Sequence, residues 1–159
     1  MRFHLIDRIV SCAPGQALHG VKRLTAGEEY LADHFPGFPI MPGVLQLQSL
    51  VEAGSWLLRV TDQFAYSVIV LREVKSVKFG NMMQPGKALE VAVELADRSG
   101  PLATIKGKGE CEGVQTVSAQ FTLATYNLSD RSPALKVRDE RLVKHLQTLY
   151  SLLSGELRA

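Results

Sequence analysis

The 159-residue chain is 46% hydrophobic and 21% charged, the balance of an ordinary globular protein, and its length suits one domain with a substantial core. A net charge of +2 without a Lys/Arg run excludes a conventional nucleic-acid binder, and no apolar stretch reaches the roughly 20 residues that a membrane helix needs. Met1-Arg2-Phe3-His4-Leu5 has no secretory apolar region, so Cys12 and Cys111 read as reduced thiols of a cytoplasmic protein. The four histidines show neither HExxH nor a CxxC partner, and no metal or cofactor is expected.

Residues 3–10 are rich in Ile, Leu and Val and read as an opening strand, with Pro14-Gly15 as the turn behind it. A second extended run follows from Ala17 to Leu24, and Thr25 to Asp33 reads as a loop or short helical turn. Next come Pro36, Pro39 and Pro42, each of which fixes φ, lacks an amide donor and holds its predecessor out of the α region. The lead-in is therefore stiff and extended. After Gly43 nothing breaks a helix until about Thr61, and Val44, Leu47, Leu50, Val51, Gly54, Leu57 and Leu58 recur at helical spacing. Gln48, Glu52, Ser55 and Arg59 form a polar seam along this otherwise apolar helix. The seam is either a solvated stripe or, at its first turn, one wall of a site that His34 and the unpaired amides of the helix start would share.

From Tyr66 onward the period changes. Ser67 to Phe79, Ala88 to Asp97, Leu102 to Cys111 and Val114 to Tyr126 read as strands, the last three joined by hairpin-length gaps. Leu89, Val91, Val93 and Leu95 alternate with Glu90, Ala92 and Glu94, which gives that strand one buried face. One long buried helix among five or six antiparallel strands is an α+β arrangement, a sheet wrapped around the helix over residues 1–128. Residues 129–159 read as a linker and an amphipathic helix, capped by Asp139 and stopped at Gly155, that packs on the same domain or at a subunit contact.

The stretch from His34 to Leu45, HFPGFPIMPGVL, resembles the active-site signature of the 3-hydroxyacyl-[acyl carrier protein] dehydratases, which have the hotdog fold. Phe3 to Ile9 is similar to that family's opening strand. Val77-Lys78-Phe79 with Pro85-Gly86 and Leu89 resembles its strand and turn after the helix, and Lys106 to Thr122 its closing hairpin. The resemblance implies that His34 removes the α-proton of a 3-hydroxyacyl thioester and that the Gly43 N–H holds the thioester carbonyl. Where the family has a carboxylate, fourteen positions after the histidine, this chain has Gln48, and an amide does not titrate. Glu52, one turn further along, is the candidate substitute, against the alternative of a paired or subunit-contact carboxylate. Phe35, Gly37, Met41, Val44 and Phe79 are expected to line the substrate.

The function so implied is dehydration of a 3-hydroxyacyl thioester, carried on acyl carrier protein or coenzyme A, to the trans-2-enoyl thioester in fatty-acid or related acyl-chain biosynthesis. The alternatives are a hotdog thioesterase and, because of Gln48, a non-catalytic module that binds an acyl thioester or carrier protein. The resemblance also implies a homodimer with shared sites, extending to a trimer of dimers. Arg72, Lys75, Lys78 and Lys87 are the expected basic rim for the carrier protein.

Overall fold

The computed structural model describes residues 4–156. Its strands are β1 (Arg8–Ala13), β2 (Ala17–Arg23), β3 (Val68–Phe79), β4 (Ala88–Ser99), β5 (Leu102–Cys111) and β6 (Val114–Tyr126), with helices α1 (Gly43–Thr61) and α2 (Lys136–Ser154). The strands form one antiparallel sheet in the order β1-β2-β4-β5-β6-β3. This is the expected α+β sheet around a central helix.

α1 begins where the prolines permit: Pro42 stands at its N-cap, and the amides of Leu45 and Gln46 both donate to the Pro42 carbonyl. Inside the helix Ser49, Ser55 and Thr61 turn their hydroxyls back to the carbonyls of Leu45, Val51 and Leu57, which lets polar residues sit in a buried element. Leu50, Leu57 and Leu58 are fully buried, each worth about 1.5–3 kcal/mol relative to exposure. At Gly54 an added Cβ would meet Leu123 Cδ1 at 3.3 Å and Ile105 at 3.4 Å, so the absence of a side chain sets how closely α1 lies on β5 and β6.

Three expectations need correction. The opening strand runs Arg8–Ala13 instead of 3–10: Leu5 and Ile6 are buried, but the Leu5 amide donates to Glu52 Oε2 at 2.8 Å instead of to a strand. Phe3 lies outside the described residues. The polar seam is no solvated stripe, because only Gln48 is exposed, Glu52 and Ser55 are half-buried, and Arg59 is buried with its guanidinium donating to the Tyr66 carbonyl at 3.1 Å.

Asp139 does not cap α2. A short helical turn over Pro133–Leu135 lets the helix start at Lys136, so Asp139 falls inside its first turn, buried. There it accepts hydrogen bonds from the Ser67 hydroxyl and from the amides of Leu128 and Ser129, both at 2.9 Å, tying α2 to the entry of β3. Gly155, with φ of 74°, ends the helix as expected. The apolar stripe of α2 packs on the core, where Tyr150 meets Trp56 and Phe64 with ring centroids 6.1 and 5.9 Å apart. Among the described residues no helix is long and apolar enough to cross a membrane, and both cysteines are free thiols.

Candidate active site

The proline segment is held from both sides. Phe35 adopts a left-handed φ of 55°, the Phe38 amide donates to the Phe35 carbonyl at 2.7 Å, and the Met41 amide donates to the Met83 carbonyl at 2.8 Å. A non-glycine residue at positive φ persists only where its surroundings enforce it, and here the turn that enforces it directly follows His34. Upstream, the His34 amide donates to the Tyr30 carbonyl at 3.1 Å.

His34 is half-buried and its Nδ1 lies 3.0 Å from the Ile40 carbonyl. A carbonyl can only accept, so the neutral ring carries its proton on Nδ1 and presents an unprotonated Nε2. That tautomer is the one a general base requires. Ile40 is the lead-in residue before Met41, so the segment that leads into α1 also orients the ring.

At the start of α1 the Leu45 and Gln46 amides are already bonded to Pro42, whereas those of Gly43 and Val44 have no partner among the described residues. Such amides, at the positive end of a 19-residue helix, suit a developing oxyanion. Phe79 covers Gly43 so closely that a Cβ there would lie 2.9 Å from the ring Cδ1. Phe35, Phe38, Val44 and Phe79 are all at least half exposed, which leaves an open apolar surface around the helix start. A cleft of about 360 Å³ adjoins it, lined by Phe38, Met82 and Val114 among others.

Not every expected residue joins this group. Gly37 is exposed with nothing near its Cα substituent position, and Gln48 is exposed one turn along α1 from Val44. Met41 is 2% exposed and belongs to the hydrophobic core, as does Trp56. Glu52 gives one carboxylate oxygen to Leu5, and burial pushes its pKa up against the opposing pull of the Leu5 amide, His4, Trp56 and Lys22. Lys87 is not a free cation, because its ammonium pairs with Glu112 at 2.8 Å. Arg72, Lys75 and Lys78 are exposed on β3, the first two at β-bulges.

Two contributors escape the sequence patterns. One is the Ile40 carbonyl, which carries no side-chain signature. The other is Lys22, buried on β2, whose ammonium pairs with Glu28 at 2.8 Å and Asp7 at 3.3 Å. Glu28 begins the short turn that leads to Tyr30 and His34. A Lys in a weakly patterned strand was the available signal.

The profile of the ApeI-like family, described as ApeI dehydratase, matches residues 12–116. The 3-hydroxyacyl-[acyl-carrier-protein] dehydratase FabZ of Erythrobacter litoralis (strain HTCC2594) is 36% identical over 120 residues, 74% of this chain and 80% of the relative. The chain belongs to the 3-hydroxyacyl-[acyl-carrier-protein] dehydratase family. Another member of this family, the FabZ of Clostridium acetobutylicum, is 34% identical over 118 residues, 74% of this chain and 84% of its own length. Among solved structures, the Dehydratase Heterocomplex ApeI:P from Xenorhabdus doucetiae superimposes with a TM-score of 0.66 at 14% identity, covering 84% of this chain and 90% of that one. The smu.793 protein from Streptococcus mutans, bound to acetyl CoA, gives 0.60 at 13% identity over 79% and 92%. At these identities the structural likeness establishes the hotdog fold of the family.

Proposed function

We propose that this chain dehydrates a 3-hydroxyacyl thioester to the trans-2-enoyl thioester in fatty-acid or related acyl-chain biosynthesis. The observation that carries the reading is the His34 Nδ1 to Ile40 carbonyl bond, which leaves Nε2 free on the segment that runs into the helix start, where the Gly43 and Val44 amides have no partner among the described residues. Nε2 takes the α-proton, and the Gly43 N–H stabilises the charge that moves onto the thioester oxygen. The C3–O bond then breaks, and the departing hydroxyl needs a proton to leave as water.

Gln48 hydrogen-bonds that hydroxyl without supplying the proton. The next carboxylate along that face is Glu52, one turn, about 5.4 Å, beyond Gln48, and burial favours its protonated form, so it is this chain's own substitute for the missing acid.

The site is completed in a homodimer. β3 is an edge strand of 12 residues on which Val70, Leu71, Val77 and Phe79 are each at least 36% exposed. Two-fold pairing of the same edge is antiparallel, so the Val68 end of one copy lies beside the Phe79 end of the other. A second reading is favoured by Gln48 itself. In it the chain pairs with a related chain that supplies the carboxylate; the Dehydratase Heterocomplex ApeI:P is by its name an assembly of unlike chains.

Purified protein incubated with 3-hydroxyacyl and crotonyl thioesters tests the proposal through the enoyl absorbance. Interconversion that disappears in His34→Ala is the expected result. No change in either direction, even at high protein concentration, refutes catalysis by the chain alone and leaves the paired form.

A further inference from the structure

Lys136, Arg138, Arg141, Lys144 and His145 are exposed on α2. The ion pairs formed among the described residues use Lys22, Lys87, Arg98 and Lys108 instead. Asp139, the acid of the first turn, is turned inward to Ser67, Leu128 and Ser129, so the exposed acids near this end of the helix are Asp130 and Glu140. The linear sequence shows no basic stripe, but the fold produces one. Arg138, Arg141 and His145 surround a cleft of about 510 Å³ with Leu128 and Leu142 in its lining. A cationic rim around apolar side chains complements a negatively charged protein helix that presents an apolar residue.

The position of the cleft selects the partner. Asp139 binds the hydroxyl of Ser67, the residue immediately before β3. In the dimer proposed above, that end of β3 lies beside Phe79 of the other copy, and Phe79 rests on Gly43. The cleft of one copy therefore stands at the mouth of the other copy's thioester site. On its own copy it lies near the opposite end of α1, a helix about 28 Å long. Arg72 and Lys75, the cations first expected to meet a carrier, lie in the middle of the strand that pairs. α2 is outside the segment matched by the family profile, so the cleft belongs to this chain's own C-terminal part.

We infer that α2 of one copy is the docking face for an acidic carrier protein that delivers its acyl thioester to the site of the other copy. The inference rests on the dimeric thioester site of the proposed function.

The test uses the full chain and a phosphopantetheine-bearing acyl carrier protein. In Arg138→Glu/Arg141→Glu the Kd for the carrier at low salt should rise about tenfold and its salt dependence should flatten. The KM for the carrier-linked substrate should rise by a similar factor relative to that for the coenzyme A thioester. Mixing this variant with His34→Ala should restore the low KM in mixed dimers, because an intact His34 is then served by an intact α2 from the other copy. Unchanged carrier affinity, a loss that appears instead in Arg72→Glu/Lys78→Glu, no rescue on mixing, or a monomeric parent chain would each overturn the inference. Binding is read without turnover, so a chain that holds the carrier through α2 but converts neither thioester refutes catalysis by the chain alone and leaves the docking face standing.

Discussion

Phe79 closes over Gly43 at a distance that excludes even a methyl group: a Cβ at position 43 would stand 2.9 Å from the ring Cδ1 and 3.1 Å from Cε1. The two residues come from the end of β3 and the start of α1. Gly43→Ala should displace the Phe79 ring and lower turnover by about 10- to 100-fold, since small shifts of a positioned donor are costly. The fold should persist, because the ring is half exposed and free to swing. Steady-state kinetics beside a thermal melt check both, and a rate equal to that of the parent would mean the packing of Phe79 on Gly43 does not position the amide.

Gln48→Glu places a titratable group where the resemblance calls for one. Dehydration should rise by about 10²-fold if the rest of the site is intact, the usual contribution of a general acid. Gln48 is exposed in the monomer, so the substitution should leave the melting temperature unchanged. Absence of a gain would assign proton delivery elsewhere, to Glu52 or to a different chain.

Glu52 has a pKa raised by burial, which means the folded state disfavours its charged form. The parent should therefore lose stability relative to Glu52→Gln as pH rises through the folded pKa, while the gap stays constant below the ordinary value of 4.5. The glutamine oxygen still accepts the Leu5 amide, so the anchor survives. Melting temperatures of the two proteins between about pH 4 and pH 8 test the sign.

Asp139 behaves in the opposite sense. Burial alone would raise its pKa, but hydrogen bonds from Ser67, Ser129 and Leu128 outweigh it and hold the carboxyl at about 2, below its ordinary 3.8. Its stabilisation is complete above 3.8 and is lost as pH falls toward about 2. Asp139→Asn should loosen α2 from the sheet at neutral pH and flatten the acid limb of the stability curve. Acid titrations followed by circular dichroism separate the variant from the parent, and identical limbs would show that the tie contributes nothing.

Much of the molecule was written in local pattern. Three prolines ahead of an unbroken apolar run specify a stiff lead-in and a helix beginning at Gly43, because φ restriction and missing amide donors act within a residue or two. The alternation in β4 and the turn residues at Gly100 and Gly113 likewise place strands β4 to β6 without reference to anything distant, and Gly155 marks the end of α2. The HFPGFPIMPG stretch names the family by the same token, since the side chains themselves are the signature.

What only tertiary structure decided concerns partners separated in sequence. Glu52 faces Leu5 across 47 residues, Asp139 faces Ser67 across 72, and Lys87 faces Glu112 across 25. Each carries a charge whose role depends on which backbone amide, hydroxyl or opposite charge arrives beside it. Local periodicity cannot encode such arrivals, because they are set by how the sheet order brings β1, β3 and α2 around α1. The tautomer of His34 was hidden for the same reason: it is dictated by the Ile40 carbonyl, a group every residue possesses, and only the turn at Phe35 aims it at the ring.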